Sequence, residues 1–98
     1  MAEIGRIMIT ARRLLVSGRV QGVGFRWFAI EIASLENVTG WVGNLPDGSV
    51  EILAEGDAEA VERFERAVRR GPSRARVDDV TTELMAPTGR FVSFTARH

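Results

Sequence analysis

The sequence predicts an α+β fold in which two helices lie on one face of an antiparallel sheet. Two observations predict the elements and a third predicts their connections. Short apolar runs of strand character, among them Leu14–Val16 and Thr39–Asn44, are separated by two stretches whose apolar residues recur at helical spacing. Glycine-rich or proline-containing turns stand at the junctions.

Leu14, Leu15 and Val16, followed by Ser17 and Gly18, read as a short buried strand running into a glycine-rich loop. A helix follows, because Phe25, Phe28, Ile32 and Leu35 repeat along one face, and Asn37 stands where a left-handed residue stops it. A second strand spans about Thr39 to Asn44. In Leu45-Pro46-Asp47-Gly48, proline presets φ, the aspartate side chain bonds back to the main chain and glycine takes the positive φ, so this turn joins an antiparallel return strand, Ser49 to Glu55. Gly56 and Asp57 then open a second helix with Asp57 as its N-cap and Val61, Phe64 and Val68 as its apolar face. On its other face Glu59 with Arg63, Glu62 with Arg66 and Glu65 with Arg69 are spaced as surface ion pairs that support the helix. Arg69, Arg70, Gly71 and Pro72 end it.

Arg76 to Leu84 and Phe91 to Ala96 read as further strands; Val92, Phe94 and Ala96 alternate, whereas Val77 and Val80 are out of phase and indicate a bulge. The order β-α-β-β-α-β plus a C-terminal strand is the split βαβ, or ferredoxin-like, arrangement. Its first crossover leaves the first two strands running the same way. The loop after Gly18 and the residue Asn44 are therefore expected at one end of the sheet.

With 98 residues the chain is read as one domain, residues 1–98, of which 1–11 form a flexible N-terminal extension. Hydrophobic residues at 45% and charged residues at 27% are those of a soluble globular protein. Arg, the sole basic type apart from His98, contributes 13 residues against 13 acidic ones, so no broad positive field exists for nucleic acid and any anion site is local. Arginine suits such a site, since its planar fork contacts phosphate bidentately and stays charged. The absence of cysteine excludes disulfides, thiolate metal sites and a cysteine nucleophile. His98 is read as a frayed terminal residue, and a single histidine offers no Ser-His or His-metal constellation. Residues 1–10 carry Glu3 and Arg6 and lack the core of a signal peptide, and no stretch is long enough to span a bilayer. A cytoplasmic protein, acting as a monomer without membrane or nucleic-acid partners, is expected.

The chemistry lies in Gly18-Arg19-Val20-Gln21-Gly22-Val23-Gly24-Phe25-Arg26, between the first strand and the first helix. A loop so placed can turn successive main-chain N–H groups toward one point, and the helix start adds partial positive charge. Gly22 and Gly24 allow close approach of the backbone, and Arg26 in the first helical turn can bind the same anion. Neither a P-loop nor a dinucleotide fingerprint fits the spacing, and on spacing alone a structural turn and an anion site are equally good readings.

That segment resembles the first signature of the acylphosphatases, and Gly40-Trp41-Val42-Gly43-Asn44-Leu45-Pro46-Asp47-Gly48-Ser49-Val50 resembles the second. Gly71-Pro72, Ala75-Arg76-Val77 and Val80 are similar to the family's later segment, so the likeness runs from about Leu14 to Phe94. The resemblance implies a ferredoxin-like fold and hydrolysis of acyl phosphates to a carboxylate and inorganic phosphate, with no metal or other cofactor. It implies that Arg26 binds the phosphoryl group, that Asn44 positions the attacking water, and that main-chain amides of Gln21, Gly22, Val23, Gly24, Phe25 and Arg26 cradle the phosphate. Inorganic phosphate and sulfate would compete for the same cradle. Asn37 stands where the family often has glycine, and the C-terminus lacks its terminal tyrosine.

Other candidates have plainer readings. Trp27, Phe28, Trp41, Phe64, Phe91 and Phe94 are packing residues of the core or its margin. Adjacent Asp78 and Asp79 point to opposite faces of a strand and make a poor metal site. Asp47 is a turn residue, and Ser17, with no base beside it, forms a hydrogen bond within the loop. The alternative function is a non-catalytic module on the same fold that binds phosphate or carbamoyl phosphate; an RNA-binding version fails for want of the required aromatic motif.

Overall fold

The computed structural model describes residues 8–97. Along the chain it has β1 (Ile9–Arg19), α1 (Phe25–Glu36), β2 (Thr39–Asn44), β3 (Val50–Asp57), α2 (Ala58–Arg70), β4 (Arg76–Met85) and β5 (Phe94–Arg97). The strands form one sheet in the order β4-β1-β3-β2-β5, with the two helices packed over it. This is the expected ferredoxin-like order.

The sheet is mixed, a correction to the purely antiparallel expectation, because β5 runs parallel to β2 with Gly40 opposite Phe94 and Gly43 opposite Arg97. The route of the chain explains it. β4 lies on the far edge and finishes beside the start of β1, Met85 opposite Ala11, so the chain crosses that end of the sheet and enters β5 where β2 also begins. Buried Glu55 holds the crossing segment, accepting hydrogen bonds from the Gly89 amide at 2.6 Å and the Thr88 hydroxyl at 3.2 Å. β5 starts at Phe94 rather than Phe91, and Val92, expected to alternate inward, is exposed.

β1 begins at Ile9, five places before the expected Leu14, so residues 9–11, assigned from sequence to an extension, belong to a strand. Arg12 and Arg13 hide its alternation in the sequence, yet both are matched in space, Arg12 to Glu65 at 2.8 Å and Arg13 to Glu51 at 2.6 Å. β3 and β4 pair with it on either side. The expectations for residues 1–7 and His98 lie outside the described residues.

The suspected bulge is present: between Ser17 and Gly18 the β1–β4 register slips, Ser17 facing Asp79 and Gly18 facing Val77, so Asp78 is the extra residue. Gly18 is required there. Its φ is 126°, and a Cβ would stand 2.2 Å from the Arg76 carbonyl oxygen. Ser17 is thus an exposed strand residue at the bulge, not a loop residue, and Asp78 pairs with Arg76 at 2.9 Å.

In α1 the buried stripe is Phe25, Ala29 and Ala33, each four residues apart, whereas Leu35, expected on the apolar face, is exposed. The small alanines let the helix lie close to the sheet. Asn37 ends it as expected, at φ 58° with its N–H bonded to the Ala33 carbonyl. α2 buries Val61, Phe64 and Val68. Phe64 is fully buried and tilts against Phe94 at 5.5 Å between ring centroids; truncating such a residue costs about 3–5 kcal/mol. Asp57 occupies the N-cap position but makes no side-chain cap bond; Gly56 and Asp57 complete β3, and the Ala58 amide donates to the Met8 carbonyl at 2.8 Å.

The charged face of α2 also departs from expectation. Glu62 and Arg66 meet at 3.4 Å, but Arg63 pairs with Glu36 of α1 at 2.8 Å. Glu65 is buried and accepts hydrogen bonds from Arg12, Arg69 and Thr82. It therefore ties α2 to β1 and β4 rather than decorating the surface.

Candidate functional site

Because β1 and β2 both pair antiparallel with β3, they run the same way and finish at one end of the sheet. That end carries the loop between β1 and α1, Asn44 at the close of β2, and Arg97 at the close of β5.

The loop is pinned by alternation. Val20, Val23 and Phe25 are buried in the core, while Gly22 and Gly24 face outward. The Gln21 side-chain amide donates to the carbonyl oxygens of Leu45 at 2.8 Å and Ser49 at 2.9 Å, which ties the loop to the β2–β3 turn. That turn is rigid in its own right. Asp47 Oδ1 accepts the Ser49 amide at 2.9 Å and the Ser49 hydroxyl at 2.5 Å, and the Gly48 amide donates to the Leu45 carbonyl at 3.1 Å. The hydrogen bond from the Ser49 hydroxyl, then that from its amide, hold the Asp47 carboxyl below its ordinary pKa.

Gly24 caps α1 at φ 80° and has no side chain to bond the helix start, so the first-turn N–H groups have no cap of that kind. Gly22 is also left-handed, at φ 72°. A Cβ on either would touch nothing within 4 Å. Both glycines are demanded by their positive φ, and the space beside the loop is open.

That space is a cleft of about 200 Å³ walled by Gly22, Gly24, Phe25, Arg26, Trp27 and Asn44. Gly22, Gly24, Phe25, Arg26 and Asn44 are thus brought together as expected, while the side chains of Gln21 and Val23 turn away, to the β2–β3 turn and into the core. Arg26 spends one donor, Nη1 to the Arg97 carbonyl oxygen at 3.2 Å, and a guanidinium has five. The remaining N–H groups can serve an anion with charge-assisted bonds.

Sequence reasoning missed two neighbours. Trp27 walls the cleft and is exposed, although it was read as packing. Arg97 supports Arg26 through its main chain, and its guanidinium lies 4.2 Å from the centroid of the Trp41 ring. The adjacency of Trp27 to Arg26 in the first helical turn was the one available signal; the Arg97 contact joins residues 71 apart and leaves no local trace.

A larger groove of about 550 Å³ lies at the other end of the sheet, between α1 and the start of β5, with Ile30, Ala33, Val38 and Phe94 in its wall. No ionisable side chain lines it. Among the described residues no three His, Asp or Glu side chains gather where they could hold a metal ion, and no helix is long and apolar enough to cross a membrane.

The family model for acylphosphatases matches residues 12–96. An acylphosphatase of Methylococcus capsulatus is 53% identical over 81 residues, covering 83% of this chain and 88% of the relative. The crystal structure of acylphosphatase from Bacillus subtilis superposes with a TM-score of 0.87 at 38% identity, covering 93% of this chain and all of that one. Full-length HypF in its phosphate- and nucleotide-bound form matches with a TM-score of 0.83 at 27% identity, but this chain spans only 13% of it. With a family model that runs through both the glycine loop and Asn44, and a relative more than half identical across most of its length, the chain belongs to the acylphosphatase family of hydrolases.

Proposed function

We propose that this chain cleaves acyl phosphates by in-line attack of a water molecule positioned by Asn44 on a phosphoryl group held by Arg26 and the main-chain N–H groups of residues 21–26. The observation that carries the reading is the common cleft of Arg26, Asn44, Gly22 and Gly24. The phosphoryl oxygens take the uncapped first-turn N–H groups and the free donors of Arg26, which meet the charge spread over the equatorial oxygens as attack proceeds. The Asn44 side chain offers a carbonyl acceptor and an NH₂ donor, enough to orient water though too weakly basic to deprotonate it. A new P–O bond forms to the water oxygen while the P–O bond to the acyl oxygen breaks. That bond's electron pair departs with the carboxylate, and the water proton passes to a phosphate oxygen. A carboxylate is a good leaving group, so positioning and charge stabilisation suffice without a covalent intermediate.

The likeness to a segment of HypF favours a second reading, in which the same cleft binds phosphate or carbamoyl phosphate without turnover. One experiment separates the two: phosphate release from acetyl phosphate in the presence of a chelator, beside phosphate binding by calorimetry, for the parent, Arg26→Ala and Asn44→Ala. Arg26→Ala should lose both binding and turnover. Asn44→Ala should keep its phosphate affinity while the rate falls by about two orders of magnitude, roughly 3 kcal/mol of transition-state stabilisation. A folded Asn44→Ala protein with nearly full turnover refutes the role of Asn44, and a parent that binds phosphate but releases none supports the second reading. That the protein works as a cytoplasmic monomer rests on its sequence alone.

A further inference from the structure

The geometry points to Trp27 as the residue that selects the acyl group, favouring aromatic and bulky apolar acyl phosphates over small ones. The inference rests on the cleft of Arg26 and Asn44 being the catalytic site. Of the aromatic side chains among the described residues, Phe25 and Phe64 are buried and Phe28, Trp41, Phe91 and Phe94 half-buried; only Trp27 is exposed, at 71%. Its position is not arbitrary, for it follows Arg26 directly and forms one wall of the same cleft. An indole left in water forgoes a large apolar burial, so a ligand surface that covers it gains binding.

The substrate's two ends divide this cleft by chemistry. The phosphoryl end needs the guanidinium of Arg26 and the N–H groups of the loop. The acyl end must then project from a space of only about 200 Å³, and among the walls Trp27 alone offers a broad exposed apolar face. Gly22 and Gly24 contribute no side chain, Phe25 is turned into the core, and Asn44 is polar. The wall contains no cation besides Arg26, so nothing there recognises a second carboxylate on the acyl chain. A flat ring against the indole face is the shape and polarity that this wall fits.

Steady-state kinetics with benzoyl phosphate and acetyl phosphate tests the assignment in the parent, Trp27→Ala and Trp27→Phe, with inhibition by inorganic phosphate measured alongside. Trp27→Ala should lower kcat/KM for benzoyl phosphate about tenfold, the scale of an aromatic contact, while acetyl phosphate turnover and phosphate inhibition stay within about twofold. Trp27→Phe should recover most of the loss. An equal loss on both substrates, or none on either, overturns the assignment of Trp27 while leaving the catalytic reading intact. A parent protein that cleaves neither compound overturns the catalytic reading and this inference with it.

Discussion

Arg26 donates through Nη1 to the main-chain carbonyl oxygen of Arg97 at 3.2 Å, a contact between residues 71 apart in the chain. It links the first turn of α1 to the last turn of chain in β5, and the Arg97 side chain is in turn stacked over Trp41 of β2. The guanidinium that faces the cleft is thereby oriented from the sheet edge as well as from its own helix.

Loosening that edge should weaken anion binding without touching the cleft. Trp41→Ala removes the ring under Arg97, an exposed cation–π contact worth about 0.5–1 kcal/mol, so phosphate affinity should fall by roughly two- to fivefold. Trp41→Phe should fall less. Calorimetric titration with phosphate is the check, and an unchanged affinity in folded Trp41→Ala would mean that Arg26 is held by its helix alone.

The Gln21 side chain is expected to matter for stability and for turnover, in that order. Its amide bonds two carbonyl oxygens of the β2–β3 turn, each of which keeps one main-chain donor, so Gln21→Ala removes two hydrogen bonds at a cost of about 1–2 kcal/mol. Urea unfolding should show this loss. Because the turn follows Asn44, kcat should fall as well, while phosphate affinity, set by Arg26 and the loop N–H groups, should change less.

Two glycines that both adopt positive φ should respond differently to alanine. At Gly18 an added Cβ would stand 2.2 Å from the Arg76 carbonyl oxygen, so Gly18→Ala must open the bulge and should destabilise by more than about 3 kcal/mol. At Gly48, with φ 95° and open space around the Cβ, only the conformational cost of about 1–2 kcal/mol remains. Equal midpoints for the two variants would show that the bulge yields freely.

Acid should weaken the fold partly through Glu65. Burial by itself would raise the pKa of its carboxyl, but hydrogen bonds from Arg12, Arg69 and Thr82 together outweigh that effect and hold it below the ordinary value. A depressed folded-state pKa means stability that is present above the unfolded-state pKa and is lost as pH falls through the folded one. Glu65→Gln should therefore be less stable at neutral pH and should lose less stability on acidification than the parent, as urea titrations at a series of pH values would reveal.

The local pattern of residues determined much of this protein. Proline, aspartate and glycine at 46–48 dictate a turn whatever surrounds them, Asn37 and Gly71 stop helices because they accept a left-handed backbone, and the misphased Val77 and Val80 announced a bulge. The crossover rule then joined the glycine loop to Asn44 at one end of the sheet before any coordinates were needed. Charges and helix faces were less legible. Glu65 has the spacing of a surface ion pair, and only the packing of α2 on β1 and β4 turned it inward to Arg12 and Thr82. Leu35 has the hydropathy of a core residue, but α1 packs on the sheet through Phe25, Ala29 and Ala33, and Leu35 lies off that stripe in solvent. The direction of β5, the support of Arg26 by Arg97 and the exposure of Trp27 beside the cleft were decided by tertiary structure alone. Each depends on which groups meet across long stretches of chain, and a single sequence records the preferences of its residues without recording the partners that satisfy them.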